Sequence, residues 1–218
     1  IEPQGEARAG WQVISDLASP PWIESGPALA YSSTSQRFLV VWQTYPSPNN
    51  PGTRLAARFI DLTGAGIGTI GRQSSGFGQR PGVAWNSTTN EFGVSFSAED
   101  AAGTTSFTVL AVVSALDVTF ATPIRQTFNQ IAGFGFITDI DYNPDTNRYV
   151  MGWFQIPIPG GAEMRVAELD ASANLVSTGF LSSLLQGMDS LSVAFSPVSR
   201  TFLFSSLDHN DETAGFEL

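Results

Sequence analysis

One short phrase, written four times, limits what this chain can fold into more than anything else in it. The copies run Leu29-Ala30-Tyr31-Ser32 to Phe38, Val83-Ala84-Trp85-Asn86 to Phe92, Ile140-Asp141-Tyr142-Asn143 to Tyr149, and Val193-Ala194-Phe195-Ser196 to Phe202. The leading aromatics lie 54, 57 and 53 residues apart, and each is followed seven positions later by a second aromatic. A period of this size signals repeated supersecondary units that stack on one another. Any fold proposed for the chain has to use the unit four times.

Within each unit the apolar residues alternate, as strands require. Leu29 and Tyr31 share a face, then Phe38, Val40 and Trp42 do. Val83 and Trp85 precede Phe92, Val94 and Phe96, and Ile140 and Tyr142 precede Tyr149, Met151 and Trp153. The fourth copy offers Val193, Phe195, Phe202 and Phe204, with Ser206 where an aromatic is expected. Between the two strands stand Ser, Thr, Asn and Asp, the residues of tight turns. Third apolar stretches follow at 55–60, 107–113, 164–169 and 216–218, and fourth ones at 67–70, 120–124 and 175–180. Four strands per unit of about 54 residues describes a propeller blade.

The expected fold is therefore all-β: a four-bladed β-propeller of four-stranded blades, one domain over residues 1–218. The last unit lacks a fourth strand, and residues 10–15 read as a stray strand before the first unit. Phe195 to Leu218 taken together with Ile1 to Tyr31 spans 54 residues, a normal repeat interval. The N-terminal strand is thus expected to complete the last blade, with the seam between 191–218 and 10–15. A piece of a longer propeller is the competing expectation. The phrase in Asn143-Pro144-Asp145-Thr146-Asn147-Arg148-Tyr149 and Asn86-Ser87-Thr88-Thr89-Asn90-Glu91-Phe92 resembles that of bacterial secreted or surface β-propeller repeat proteins. The resemblance implies architecture and carries no functional residue with it.

Composition narrows the chemistry. Twenty acidic residues stand against ten arginines, with no lysine, for a net charge of −10. Nucleic acid and anionic membrane surfaces, which need a basic footprint, are poor partners for such a chain. With no cysteine and one histidine, thiolate chemistry and disulfides are excluded, and carboxylates are left as the acid–base groups. No stretch suits membrane insertion. A charged fraction of only 14%, beginning at Ile1 rather than a methionine, suggests a processed extracellular or cell-surface chain.

Candidate ligand-binding residues come from the loops expected on one face: Trp22, Tyr45, Phe77 and Phe134 as stacking aromatics, with Glu99 and Asp100 beside them. Packing against the blades is the plainer role for these aromatics. The alternating run Asp139, Asp141, Asn143, Asp145, Asn147 begins like a calcium loop, but Pro144 occupies its glycine position and Val150 its closing glutamate position. Asp139 and Asp141, with Asp208 and Asp211 around the sole His209, are the candidate ligands for Ca²⁺; otherwise no cofactor is expected. Asn86-Ser87-Thr88 fits a glycosylation acceptor, though turn formation explains it as well. Lacking a catalytic motif, the sequence favours a non-catalytic module for protein partners or self-association. A lectin-like carbohydrate binder is the first alternative. A carboxylate-dependent glycoside hydrolase, which needs only two acids, is the second.

Overall fold

A computed structural model describes residues 23–45, 54–73, 79–99, 106–116, 126–131, 133–157, 162–184 and 188–208. These form β1 (Ile23–Ser32), β2 (Arg37–Tyr45), β3 (Arg54–Asp61), β4 (Gly66–Gln73), β5 (Gln79–Asn86), β6 (Glu91–Glu99), β7 (Ser106–Ser114) and β8 (Gln126–Ile131). The second half supplies β9 (Gly133–Asn143), β10 (Arg148–Pro157), β11 (Ala162–Asp170), β12 (Leu175–Leu184), β13 (Met188–Ser196) and β14 (Thr201–Asp208). Successive strands pair antiparallel into three four-stranded sheets and the two-stranded β13–β14 sheet. The chain is an all-β propeller, with each copy of the repeat phrase forming the first hairpin of a sheet.

Register explains the seven-residue spacing. Tyr31 pairs with Phe38, Trp85 with Phe92, Tyr142 with Tyr149 and Phe195 with Phe202. Three of these pairs have ring centroids 4.8 to 5.4 Å apart, within the range where aromatic pairs attract beyond their buried area. The turn between the partners follows one recipe. Ser32, Asn86, Asn143 or Ser196 accepts a backbone N–H two or three residues on. The residue just before the second strand (Gln36, Asn90, Asn147, Arg200) sits at φ between 51° and 58°. That left-handed region suits Asn, which explains the Asn of the two clearest copies.

The same residues tie neighbouring sheets together. Ser32 Oγ donates to Asn90 Oδ1 at 2.7 Å, and Asn86 Nδ2 donates to Asn147 Oδ1 at 3.3 Å. Thr88 and Tyr142 share a hydroxyl contact of 2.7 Å, and Arg200 pairs with Asp145 at 3.2 Å. Asn86 is fully buried, so its amide is engaged in this latch and unavailable as a glycan acceptor.

Face-to-face packing makes the core. Leu39, Val41 and Phe59 of the first sheet meet Phe92, Val94 and Phe96 of the second. Leu110 and Val112 of the second meet Tyr149, Met151 and Trp153 of the third. Gly93 is required here, because a Cβ at that position would lie 2.7 Å from the Tyr149 ring. Gly93→Ala should cost about 1–3 kcal/mol, the usual range for overpacking a core. Equilibrium urea unfolding measures it, and a loss under 0.5 kcal/mol would contradict this packing.

Two expectations change. The fourth strand of the second sheet, expected at 120–124, falls outside the described residues; β8 at Gln126–Ile131 takes that place in the sheet, in a stretch expected to be a connection. Phe134, expected on a loop, lies in β9 opposite Ile156. The apolar run 131–137 is interrupted by glycines that looked like turn residues, and pairing with β10 overrides that local signal. Residues 10–15 and 216–218 also lie outside the described residues, as does the seam they were expected to form.

Candidate active site in the axial cavity

The four inner strands β1, β5, β9 and β13 each break register near their starts. The shifts fall between Ser25 and Ala28, Gln79 and Gly82, Phe136 and Thr138, and Met188 and Ser190. Counted back from the leading aromatics, all four lie at one level of the repeat. Bulges bend a strand and re-aim its side chains, and they gather beside active sites. Here they surround a cavity of about 620 Å³ to which all four inner strands contribute. Its polar lining includes Ser25, Arg80, Thr138, Asp139, Ser190 and Ser192.

Asp139 is the carboxyl of this lining. Gly82 makes room for it: a Cβ there would stand 2.7 Å from Asp139 Oδ1 and 2.8 Å from its Cα. Asp139 Oδ2 accepts the Val193 N–H at 2.8 Å, and two residues on Asp141 Oδ2 accepts the Phe195 N–H at 2.7 Å. Both acids thus satisfy donors on the inner edge of β13 that have no strand beside them. In the other repeats these positions hold Ala28, Gly82 and Ser192, and Ala30, Ala84 and Ala194. Burial lifts the Asp139 pKa from 3.8 to about 6; the Val193 and Ile140 N–H groups oppose the rise, and Asp141 adds to it. A carboxyl in this state exchanges a proton near neutral pH, as a general acid must.

Arg80 brings the cation. Its φ is +41°, unusual for a residue with a side chain, and Gly26 occupies the equivalent place in the first repeat at +56°. Two buried side chains hold the Arg80 backbone. Gln43 Oε1 accepts its N–H at 3.3 Å, and Thr138 Oγ1 donates to its carbonyl at 3.3 Å. Those residues belong to β2 and β9, so the sheets on both sides clamp one strained residue.

The residues expected from sequence are distributed as follows. Asp139 lines the cavity, and Asp141 joins β9 to β13. Tyr45 ends β2, Glu99 ends β6, Phe134 lies near the start of β9, and Asp208 ends β14, so their backbones stand at the cavity end of their sheets. Trp22, Phe77, Asp100, His209 and Asp211 lie outside the described residues. Among the described residues no three acidic or histidine side chains converge as metal ligands. Sequence reasoning missed Arg80, although Arg80-Pro81 stands where the first repeat has Gly26-Pro27. That alignment was the available signal.

No family model and no curated protein matches the sequence. Solved structures do match. One is an N-acetylgalactosamine deacetylase from F. plautii in complex with blood group B trisaccharide, with a TM-score of 0.58 and 12% identity. The match covers 87% of this chain and 64% of that one. Another is a GH43 β-1,3-galactosidase, with a TM-score of 0.56, 9% identity, and coverage of 85% and 39%. The likeness is one of fold. The chain spans less than two thirds of the length of either protein.

The expectation of a non-catalytic interaction or assembly module is corrected by these matches. The two solved structures named above are a deacetylase and a galactosidase, so the missing sequence motif was no ground for expecting a scaffold without chemistry. Catalytic residues carried on loops of a rigid scaffold need not form a contiguous motif. Among the described residues, no helix is long and apolar enough to cross a membrane.

Proposed function

We propose that this chain belongs to a carbohydrate-processing protein and that the axial cavity receives the sugar, with Asp139 as proton donor. The observation that carries this reading is a mostly buried carboxyl, its pKa raised to about 6, placed in a cavity at a ring of four bulges. Hydroxyls from Ser25, Ser190 and Ser192 suit a ligand made of hydroxyl groups. Both solved structures are named for galactose-type sugars, which makes galactosides the first ligands to test.

Glycoside hydrolysis ordinarily uses two carboxyl groups. Glu24 on β1 and Asp189 on β13 adjoin the lining residues Ser25 and Ser190 in sequence, and each is a candidate for the second. The test is hydrolysis of aryl galactosides and galacto-oligosaccharides by the protein and by Asp139→Asn, Glu24→Gln and Asp189→Asn. Asp139→Asn should lower kcat by about 10²-fold or more, the usual weight of a general acid. Wild-type kcat should fall as pH rises above about 6, where Asp139 loses its proton. Wild-type turnover that Asp139→Asn leaves intact would remove the assignment. A variant that binds sugars normally while neither it nor the wild type hydrolyses them would favour the lectin reading instead.

A further inference from the structure

We infer that Ser95 is a positioning residue for Asp139, joined through one internal water to the carboxyl oxygen that β13 does not hold. The inference rests on the proposed function, in which Asp139 gives the proton, and names the group that stands behind that acid.

Hydroxyls buried where the first repeat packs hydrocarbon begin the case. Ser95 and Ser97 lie two apart on β6, and Thr108 of β7 is opposite Ser97. Leu110, opposite Ser95, packs with Met151 and Trp153 of the third sheet. All three hydroxyl residues therefore lie on the face of the second sheet that meets the third. Ser95 and Thr108 are fully buried and Ser97 is 2% exposed. None of the three hydroxyls has a hydrogen-bond partner within the protein. Counted from Phe38 and Phe92, Ser95 and Thr108 occupy the places of Val41 and Leu55 in the first repeat, both fully buried. Hydrocarbon fills such a place with no polar group to satisfy. Hydroxyls kept there instead call for internal water, which meets buried polar groups of this kind.

Ser95 is the member of the row that reaches the acid. A Cβ on Gly82 would lie 2.7 Å from Asp139 Oδ1 and 2.8 Å from Ser95 Oγ, so the two oxygens stand within about 5.5 Å of each other. Ser95 makes no direct bond to that carboxyl, and two hydrogen bonds meeting at one water bridge a span of this size. Glycine at 82 keeps a side chain from crowding both oxygens. Asp139 Oδ2 meanwhile accepts the Val193 N–H at 2.8 Å.

The chemistry of the acid explains why a hydroxyl belongs there. The Val193 and Ile140 N–H groups can only donate, so they serve the ionised carboxylate and offer nothing to its protonated form. A serine hydroxyl and a water both donate and accept. Together they follow Asp139 through both charge states, as an acid that regains its proton after each turnover requires. Among the described residues, the charged groups beside Asp139 are Asp141 on its own strand and Arg80 of β5 in the same lining. Strands β6, β10 and β13 meet it with Ser95, Gly152 and the Val193 N–H.

The test reads the acid directly and needs no turnover. Carboxyl carbon-13 titration by NMR follows Asp139 in the wild type, Ser95→Ala and Ser97→Ala, with its signal identified by loss in Asp139→Asn. Ser95→Ala should raise the Asp139 midpoint by about half a pH unit or more, because bonds to the charged form are the stronger ones. Ser97→Ala removes an equally buried hydroxyl one pleat away and should leave the midpoint at its wild-type value. High-resolution crystal structures should show a water bonded to Ser95 Oγ and Asp139 Oδ1, absent in Ser95→Ala. An unmoved midpoint in Ser95→Ala overturns the inference, as does an equal shift in Ser97→Ala, which would mark general loosening. A dry gap between the two oxygens, or a direct bond between them, overturns the bridge. A shifted midpoint in a protein that hydrolyses no sugar supports the Ser95 link and counts against the proposed function alone.

Discussion

Replacing Asn147 by alanine should lower stability by about 3 kcal/mol. Three effects add. Asn147 sits at φ 53°, where alanine is disfavoured by about 1 kcal/mol. Its Oδ1 accepts the Asn86 amide at 3.3 Å, and Asn86 is fully buried. Losing that acceptor strands a buried donor, at about 1–3 kcal/mol. Oδ1 also accepts the Tyr142 hydroxyl at 2.9 Å, although Thr88 still holds that group. Asn147→Gly separates the terms, since it keeps the backbone and loses the bonds; it should cost about 1 kcal/mol less than alanine. Guanidinium unfolding of the two variants decides. Equal losses would mean that the left-handed turn contributes nothing, and losses under 1 kcal/mol would mean that the latch between sheets does not hold.

That residue also shows how far the sequence could be read. Asn147 was legible as a turn former, because left-handed turns favour asparagine and the repeat puts Asn90 in the matching place. Its second role, joining the second and third sheets through Asn86, was not. Reaching across to another repeat depends on how the sheets stack, and no local spacing reports that. The strands were legible for the same local reason: period-two alternation and cross-strand aromatics at a fixed interval are properties of one hairpin. Strand β8 was misplaced because residues 126–131 are polar and alternate weakly, so their pairing with β7 decides the matter.

The candidate site divides along the same line. Asp139 and Asp141 stood out as acids in places where other repeats carry small residues, so the departure was visible. They were named as candidate Ca²⁺ ligands because the run alternates oxygen-bearing residues, and no spacing within one strand points to the N–H donors they meet. The donors are the Val193 and Phe195 N–H groups, 54 residues away in each case, on a strand edge exposed only once the sheets surround an axis. Arg80 was less visible still. Its importance rests on a backbone angle and on two buried side chains from other sheets, none of which composition reveals.

Asp139→Asn should make the protein more stable at neutral pH while lowering the proposed hydrolysis. The folded pKa of Asp139 is about 6 against 3.8 for the ordinary group. The native state therefore binds this proton more tightly than the unfolded chain, and between those values stability falls as pH rises. The effect is complete above pH 6 and absent below about pH 4. A shift near two pKa units corresponds to about 3 kcal/mol at most. Asparagine keeps an oxygen for the Val193 N–H and carries no charge to bury, so its stability should be flat from pH 4.5 to 7. Asp61, Glu163 and Asp170 have lowered pKa values, so their contributions are lost only as pH falls toward the acid end, outside this window. Unfolding midpoints of wild type and Asp139→Asn at pH 4.5, 5.5 and 7 measure the difference. If the wild type gained stability over that range, Asp139 would be an ordinary ionised inter-sheet tie. A destabilising acid kept in the cavity, where asparagine would hold the same N–H, is what the proposed proton donor requires.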